Sequence, residues 1–370
     1  MMSYEKIIIC APTFLNFGGG ISSFSRALAL ALKSDNPILI GKLDQKGSYE
    51  DILVSGCGSF PKTLQNILFA LLLIQVAFLR RPKIIISTHL NFGPVLFWIR
   101  KILNIPYILV AHGIDVSPSL SMQRQQALRM ADGIWAVSKW TQQKLVELDV
   151  SPDLIQIIPN TVSNQSFGLA SQNLGLRERY GIGQDEKIVL TVARLDKEEA
   201  YKGYDKVVAA LPSILNVLKV HFIVVGRGED GVRLLSIGNK LGVAGSITLC
   251  GFVSDNELAD HYRLADVFAM PSMGEGFGIV FLEAMACGIP VLGGNQDGSV
   301  DALLNGKLGL LVNPNDVEEI AKGLIDILQK QGPSIWFSPI KLREACLDNY
   351  GPDIFKSKVR DALRIIDLKS

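Results

Sequence analysis

Charge imbalance is missing from this chain: 37 Lys and Arg stand against 36 Asp and Glu in 370 residues, a formal net charge of +1. That balance gives no argument for nucleic acid or for a strongly acidic partner. Cysteine is scarce. The five present (Cys10, Cys57, Cys250, Cys287 and Cys346) are odd in number and form no CxxC or Cys/His cluster, which argues against a zinc framework and a disulfide scaffold. Several sit in apolar strands, so reduced, structural thiols in a cytoplasmic protein are expected. No Asp-x-Asp pair occurs anywhere, and with it goes a common carboxylate handle for a divalent cation. The start, Met1-Met2-Ser3-Tyr4-Glu5-Lys6 and then an apolar run, lacks the layout of a signal peptide and reads as a first strand. The longest apolar run, Leu64 to Leu79, falls short of the ~20 residues that cross a bilayer.

What is present is a globular composition, 48% apolar and 20% charged, in a chain long enough for two domains. Apolar, β-rich runs recur between helical segments at Lys6–Ala11, Pro37–Ile40, Lys83–Ser87, Tyr107–Ala111, Gly133–Val137 and Gln156–Ile158. Strands so uniformly apolar are buried on both faces, as in a parallel sheet wound with helices. After Asn160 the chain turns polar, and a linker is predicted there. A second series runs through Lys187–Val192, Val220–Val225, Ile247–Cys250, Val267–Met270 and Pro290–Gly293. The predicted class is α/β, with two Rossmann-like, doubly wound domains at 1–165 and 166–345. Such domains in tandem would face across a cleft at their strand carboxyl ends.

The most informative stretch is Glu275-Gly276-Phe277-Gly278-Ile279-Val280-Phe281-Leu282-Glu283. A short buried strand ends just before it at Pro271-Ser272, so the order is strand, loop, helix, which aims backbone N–H groups and a helix dipole at an anion. Gly276 and Gly278 let backbone approach a ligand closely. Glu283 lies a little over two turns from Glu275, so both carboxylates can face one side. A ligand with hydroxyls at both ends and phosphate between fits this layout, as a nucleotide sugar does.

Continued into Ala284-Met285-Ala286-Cys287-Gly288-Ile289-Pro290-Val291, the stretch resembles the E-x7-E signature of retaining GT-B glycosyltransferases, most closely family 4. The resemblance extends through Val192-Ala193-Arg194, Lys202-Gly203, Gly226-Arg227-Gly228, Gly251-Phe252-Val253-Ser254 and Gly309-Leu310-Leu311-Val312. In the first half it is looser, at Gly18-Gly19-Gly20, Ala111-His112-Gly113 and Pro159-Asn160.

The resemblance implies a donor site without a metal or other cofactor, in which Arg194 and Lys202 clamp the diphosphate. Arg offers a bidentate fork and Lys a compact charge. An acidic insertion, Asp196 to Tyr201, lies between them, and Lys197 is an alternative to Lys202 if the loop folds differently. It implies that Glu275 binds the transferred sugar, that the N–H groups of Gly276, Phe277, Gly278, Ile279 and Val280 serve sugar and phosphate, and that Glu283 takes both ribose hydroxyls. Arg227 would lie near the base or phosphates. The base would rest against Phe252 and Val253, with Leu258 beneath. In the first domain Gly19 and Gly20 would form a loop that cradles phosphate or admits acceptor, and His112 would contact the donor sugar. Asp115 and Asn160 would stand near the acceptor; Ser163 occupies a place where the family often has Asp. The last segment, 346–370, would return to the first domain. No carboxylate is placed as a nucleophile, so retention by a front-face route is expected.

The expected activity is hexose transfer from a nucleoside diphosphate sugar, UDP-glucose first, to a glycan or lipid-linked acceptor in surface polysaccharide assembly. A non-catalytic nucleotide-sugar-binding protein is the alternative. The segment Gly226 to Gly231 also fits GxGxxG and so raises a nicotinamide-binding enzyme, but Glu229 and Asp230 would set negative charge beside the pyrophosphate. For Leu64–Leu79 a helix packed in the first domain is favoured. The alternative is an interfacial helix, helped by Arg80, Arg81, Lys83, Arg100 and Lys101, at the inner face of a membrane bearing the acceptor.

Overall fold

Uniformly apolar runs become parallel strands, because a strand covered by helices on each side has no polar face to show. The structure is a computed structural model and describes residues 7–16, 19–163 and 165–367. Contacts divide the chain into Met1–Thr161 with Pro352–Ser370, and Val162–Gly351.

The first unit contains β1 (Ile7–Ala11), α1 (Gly20–Ala31), β2 (Ile38–Gly41), β3 (Gly47–Tyr49), β4 (Ile52–Gly56), α2 (Lys62–Arg80), β5 (Ile84–Ser87) and α3 (Gly93–Leu103). It continues with β6 (Tyr107–Ala111), α4 (Met122–Arg129), β7 (Gly133–Ala136), α5 (Lys139–Val146) and β8 (Ile155–Ile157). Its sheet order is β3-β4-β2-β1-β5-β6-β7-β8, parallel except for β3 against β4. Central β1 sets Ile8 opposite Ile38 on one side and Ile85 on the other. The β3–β4 hairpin has no counterpart among the predicted strands. Its turn uses Glu50 and Asp51 at φ 48° and 67°, where the usual Asn-Gly signal is absent.

The second unit holds α6 (Leu174–Arg179), β9 (Lys187–Val192), α7 (Tyr204–Leu215), β10 (Val220–Val225), α8 (Gly231–Lys240), β11 (Ile247–Gly251), α9 (Asp255–Leu264) and β12 (Val267–Met270). It ends with α10 (Ile279–Ala286), β13 (Val291–Gly294), α11 (Ser299–Ala302), β14 (Leu310–Val312), α12 (Val317–Leu328) and α13 (Pro339–Tyr350). The order β11-β10-β9-β12-β13-β14 is all parallel. Numbered from its own first strand it reads 3-2-1-4-5-6, the doubly wound order whose switch point lies between β9 and β12.

The chain changes unit at Thr161–Val162 and again at Gly351–Pro352. Residues 162–165 and 346–351 therefore belong to the second unit, not to the first as expected. The cause is packing: α13 lies on α10, Arg343 Nη1 donates to the Phe167 carbonyl at 2.7 Å, and Val162 N–H donates to the Tyr350 carbonyl at 3.4 Å. The returning helix α14 (Pro352–Asp367) packs on α1. Phe355 meets Phe24 edge-on at 5.3 Å, and Arg360 pairs with buried Asp35 at 2.7 Å.

Candidate active site

In the second unit the loops that follow β9 and β12 flank the switch point, where the carboxyl ends of a doubly wound sheet bind ligands. Lys202-Gly203 sits there for a backbone reason. Gly203 has φ 76°, and a Cβ would lie 2.1 Å from the Pro271 carbonyl oxygen. Only glycine lets the two loops touch this closely. Tyr201 seals the contact, its carbonyl accepting from Met273 N–H at 2.9 Å.

The acidic insertion proves to be the organiser of the two cations. Glu199 is buried, and its two carboxylate oxygens pair with Arg194 and, at 2.9 Å, with Lys202 Nζ. The cations differ in setting: the Lys202 side chain is 16% exposed and that of Arg194 71%. Burial lowers the Lys202 pKa, opposed by the charge of Glu275 and reinforced by Arg194. Burial and the Glu275 charge also push the Tyr201 hydroxyl up. Tyr201 and Lys202 thus both feel the charges of Glu275 and Arg194. Lys197, the sequence's alternative to Lys202, is more exposed and opens the short helical turn of the insertion.

Glu275 itself is half-buried, and its backbone is tied at both ends. Its N–H donates to Asp297 Oδ2 at 2.8 Å, and its carbonyl accepts from Gly298 N–H at 2.9 Å. Asp297 also accepts from Ser272 Oγ at 2.7 Å and Ser299 N–H at 2.9 Å. Neither Glu199 nor Asp297 was singled out in the sequence; for Asp297 the cause is a partner 22 residues away, of which an acid gives no local sign. The loop then enters α10 with Gly278 at φ 84°. Gly276 and Phe277 are buried, and Ile279 and Val280 are half-buried. On α10, half-buried Glu283 accepts from Tyr262 Oη at 2.7 Å.

Arg227 and Phe252 form a separate exposed pair, with the guanidinium 5.6 Å from the ring centroid. Val253 and Leu258 are half-buried beside it in sequence. The GxGxxG segment has another explanation. A Cβ on Gly226 would lie 1.8 Å from the Ala193 carbonyl oxygen, and one on Gly228 would lie 2.1 Å from that of Leu195. The glycines admit neighbouring backbone, and Asp230 is consumed by Arg233 at 2.6 Å and Tyr204 Oη at 2.7 Å. The segment also follows the second strand of its sheet, away from the switch point. The pocket lined by Lys187, Asp266, Pro290 and Trp336 opens at the strand amino ends, opposite to these residues.

In the first unit, His112 ends β6 buried against Phe24, ring centroids 5.3 Å apart. Burial lowers its pKa to about 4, so the ring is neutral near pH 7. Its Nε2 lies 3.0 Å from the Thr88 carbonyl oxygen. A carbonyl only accepts, so Nε2 carries the proton and Nδ1 the lone pair. Asp115 accepts from His112 N–H at 2.8 Å through Oδ1, while its Oδ2 is buried without a hydrogen-bond partner. Burial raises the Asp115 pKa, with His89 the main opposing influence. His89, which follows β5, is a site neighbour that the sequence did not flag. Lys144 donates to the Gly113 carbonyl at 2.8 Å and lies 4.4 Å from the Trp140 ring centroid.

Gly19 caps α1 at φ 75° in open space, and Gly20 begins the helix; Gly18 lies outside the described residues. Buried Asp44 braces the approach to this loop, accepting from Thr13 Oγ1, from Phe14 N–H at 2.6 Å and from Leu15 N–H at 3.1 Å. Asn160 is buried, its Oδ1 without a hydrogen-bond partner.

A pair of doubly wound parallel sheets, one carrying a glycine loop between two carboxylates and two cations at its switch point, defines a nucleotide-sugar transferase architecture. Residues 175–349 match the family model described as "Glycosyl transferases group 1", and residues 18–165 match "Glycosyltransferase Family 4". The chain is 33% identical over 230 residues to the GDP-mannose-dependent alpha-(1-6)-phosphatidylinositol monomannoside mannosyltransferase of Mycolicibacterium smegmatis, covering 59% of each chain. It is 32% identical over 266 residues, 68% of each chain, to the protein of that name from Mycobacterium tuberculosis. Among solved structures, sucrose-phosphate synthase from Thermosynechococcus elongatus superposes with a TM-score of 0.82 at 20% identity, covering 99% of this chain and 100% of that one. The chain belongs to the group 1 glycosyltransferases and has the GT-B fold.

Proposed function

We propose that the protein is a retaining hexosyltransferase that works without a metal ion and passes a hexose from a nucleoside diphosphate to a lipid-linked or glycan acceptor. The observation that carries this is the joint hold of buried Glu199 on Arg194 and Lys202 beside the Glu275 loop. Two fixed cations meet the charge that grows on the departing diphosphate, the task a metal performs elsewhere. Lys202 stays anchored by Glu199, and the more exposed Arg194 exchanges that carboxylate for a phosphate oxygen. Glu275, its backbone fixed by Asp297 and Gly298, accepts hydroxyls of the sugar. Glu283 accepts the ribose hydroxyls, and the Arg227–Phe252 pair offers a face to the base. His112, Asp115 and Asn160 serve the first unit's side of the reaction. In the step itself the C1–O bond to the β-phosphate breaks and a C1–O bond to the acceptor forms on the same face. The acceptor proton passes to the departing phosphate oxygen.

GDP-mannose is the first donor to test, because the mycobacterial relatives are named for it. UDP-glucose, expected from the family resemblance, is the second. Their named phosphatidylinositol mannoside acceptor supports a lipid-linked acceptor here, in assembly of a surface polysaccharide or glycoconjugate. Five free cysteines support work in a reducing, cytoplasmic compartment.

The test is thermal stabilisation by GDP, UDP and their hexose conjugates with EDTA throughout. It is followed by transfer from the stabilising donor to a lipid extract, with the product anomer read by NMR. Stabilisation by one nucleotide, turnover in EDTA and a retained anomer are expected. Stabilisation without transfer or donor hydrolysis supports a non-catalytic sugar-nucleotide binder instead. A response to NAD alone overturns the proposal.

A further inference from the structure

Helix α2 is 19 residues long and apolar enough by length and composition to cross a membrane, yet one face of it is packed, with half-buried Leu68, Leu72 and Val76 beside the fully buried residues. Gln65, Phe69, Leu73 and Ala77, each one helical turn from the next, are buried, the last three in the core of the first unit. That contact holds α2 to its sheet and rules out a span. Leu64, Ile67, Leu71, Ile74 and Phe78 form a second stripe at helical spacing, 41–61% exposed, and Leu79 is 67% exposed. The favoured expectation of a core helix is thus met on one face alone. An amphipathic surface helix turns polar residues outward; this one turns out apolar side chains. The neighbouring helix α3 adds exposed Trp98 and Ile102.

Charge around these helices is segregated in a way the whole-chain balance hides. Residues 52–114 hold Lys62, Arg80, Arg81, Lys83, Arg100 and Lys101 and no Asp or Glu. Arg100 is committed to Asp132 at 3.1 Å. Arg81 lies 5.2 Å from the Phe78 ring centroid and Lys101 lies 5.1 Å from that of Trp98, pairings of cation and aromatic that suit the headgroup level of a bilayer.

We propose that α2, with Trp98 and Ile102 of α3, lies in the plane of an anionic phospholipid bilayer. The apolar stripe enters the acyl boundary, and Arg80, Arg81, Lys83 and Lys101 meet lipid phosphates. A second copy of this chain is the poorer occupant. A two-fold contact would set the same cations against themselves with no acid from this segment to pair them. The inference rests on exposure and charge, independent of the donor and the sugar.

The test is flotation of the full chain with vesicles of phosphatidylcholine alone or containing phosphatidylglycerol at about one lipid in three. Binding to the anionic vesicles is expected, weakening with salt and falling about fivefold for each of Arg80, Arg81 and Lys83 replaced by Ala. Leu71→Asp with Phe78→Asp is expected to abolish it. Trp98 fluorescence should shift to the blue on binding, and the shift should vanish in Trp98→Phe while flotation persists. The double variant must keep its melting temperature and nucleotide response, which separates loss of docking from loss of fold or donor site. If it melts early, Ile67→Ser with Ile74→Ser replaces it. No flotation of the wild type at low salt overturns the proposal. So does lipid-independent dimerisation that the same substitutions abolish.

Discussion

The two units share a doubly wound parallel core, to which the first adds the β3 edge and β8, and they equip it in opposite ways. At the switch point of the second, buried Glu199 holds the cations Arg194 and Lys202, and Asp297 ties down the backbone of the Glu275 loop. At the corresponding strand ends of the first, His112 is neutral, Asp115 keeps an orphaned oxygen, and Asn160 keeps another. A charged ligand end needs fixed counter-charge of known sign. A hydroxyl-bearing end needs neutral donors and acceptors that wait for partners. One fold can carry both sets of groups because the scaffold constrains only where strand ends lie, not what they carry.

The contrast can be broken most decisively at Glu275. Glu275→Ala should lower the transfer rate about 10²–10³-fold with little change in melting temperature, since its side chain sits in a loop. Near-wild-type kinetics would remove it from the site. The first unit should answer to acid instead. His112 has a folded pKa of about 4 against an ordinary 6.5, so the unfolded chain binds more protons between these values. Stability is unaffected above pH 6.5, falls as pH drops through that window, and levels off below about 4, by about 3 kcal/mol in all. Half-buried His89 and buried His221, both shifted down by desolvation, act in the same direction. Urea titrations at pH 7 and 5 should show the slope, and His112→Asn should reduce it, leaving the share of His89 and His221.

Within the second unit, burial ranks the cations. Lys202→Ala should weaken binding of the nucleoside diphosphate by about 2–3 kcal/mol. Arg194→Ala, at 71% exposure, should cost about 1–2 kcal/mol after solvent screening; calorimetry on both gives the order. Equal losses would mean that burial does not set the strength of the two cations. The smallest effect is expected at Gly19→Ala. It meets open space but keeps φ 75°, for about 1 kcal/mol of lost stability. Gly203→Ala, facing the Pro271 carbonyl, should lose more in the same melting assay.

Strands and glycines were legible because their signals are local. A strand buried on both faces must be apolar throughout, and a glycine with positive φ or a backbone neighbour has no substitute. So the order of β9 to β13, the Lys202-Gly203 turn and the Glu275 loop could be read directly. The β3–β4 hairpin was not, because Glu50 and Asp51 adopt positive φ without the residues that usually announce it. The acidic insertion looked like an obstacle between two cations, and Glu199 instead joins them.

Two doubly wound sheets, the family and the signature residues from Arg194 to Glu283 were legible from the chain alone. Each follows from the chemistry of residues close in the chain. Packing of separate loops sets which acids hold which backbone, since Asp297 accepts from Glu275 N–H and Asp44 from Phe14 N–H across long stretches of chain. Tertiary packing likewise decides which face of α2 is left uncovered. Hydropathy reports how apolar a helix is, whereas exposure depends on what the rest of the fold places against it.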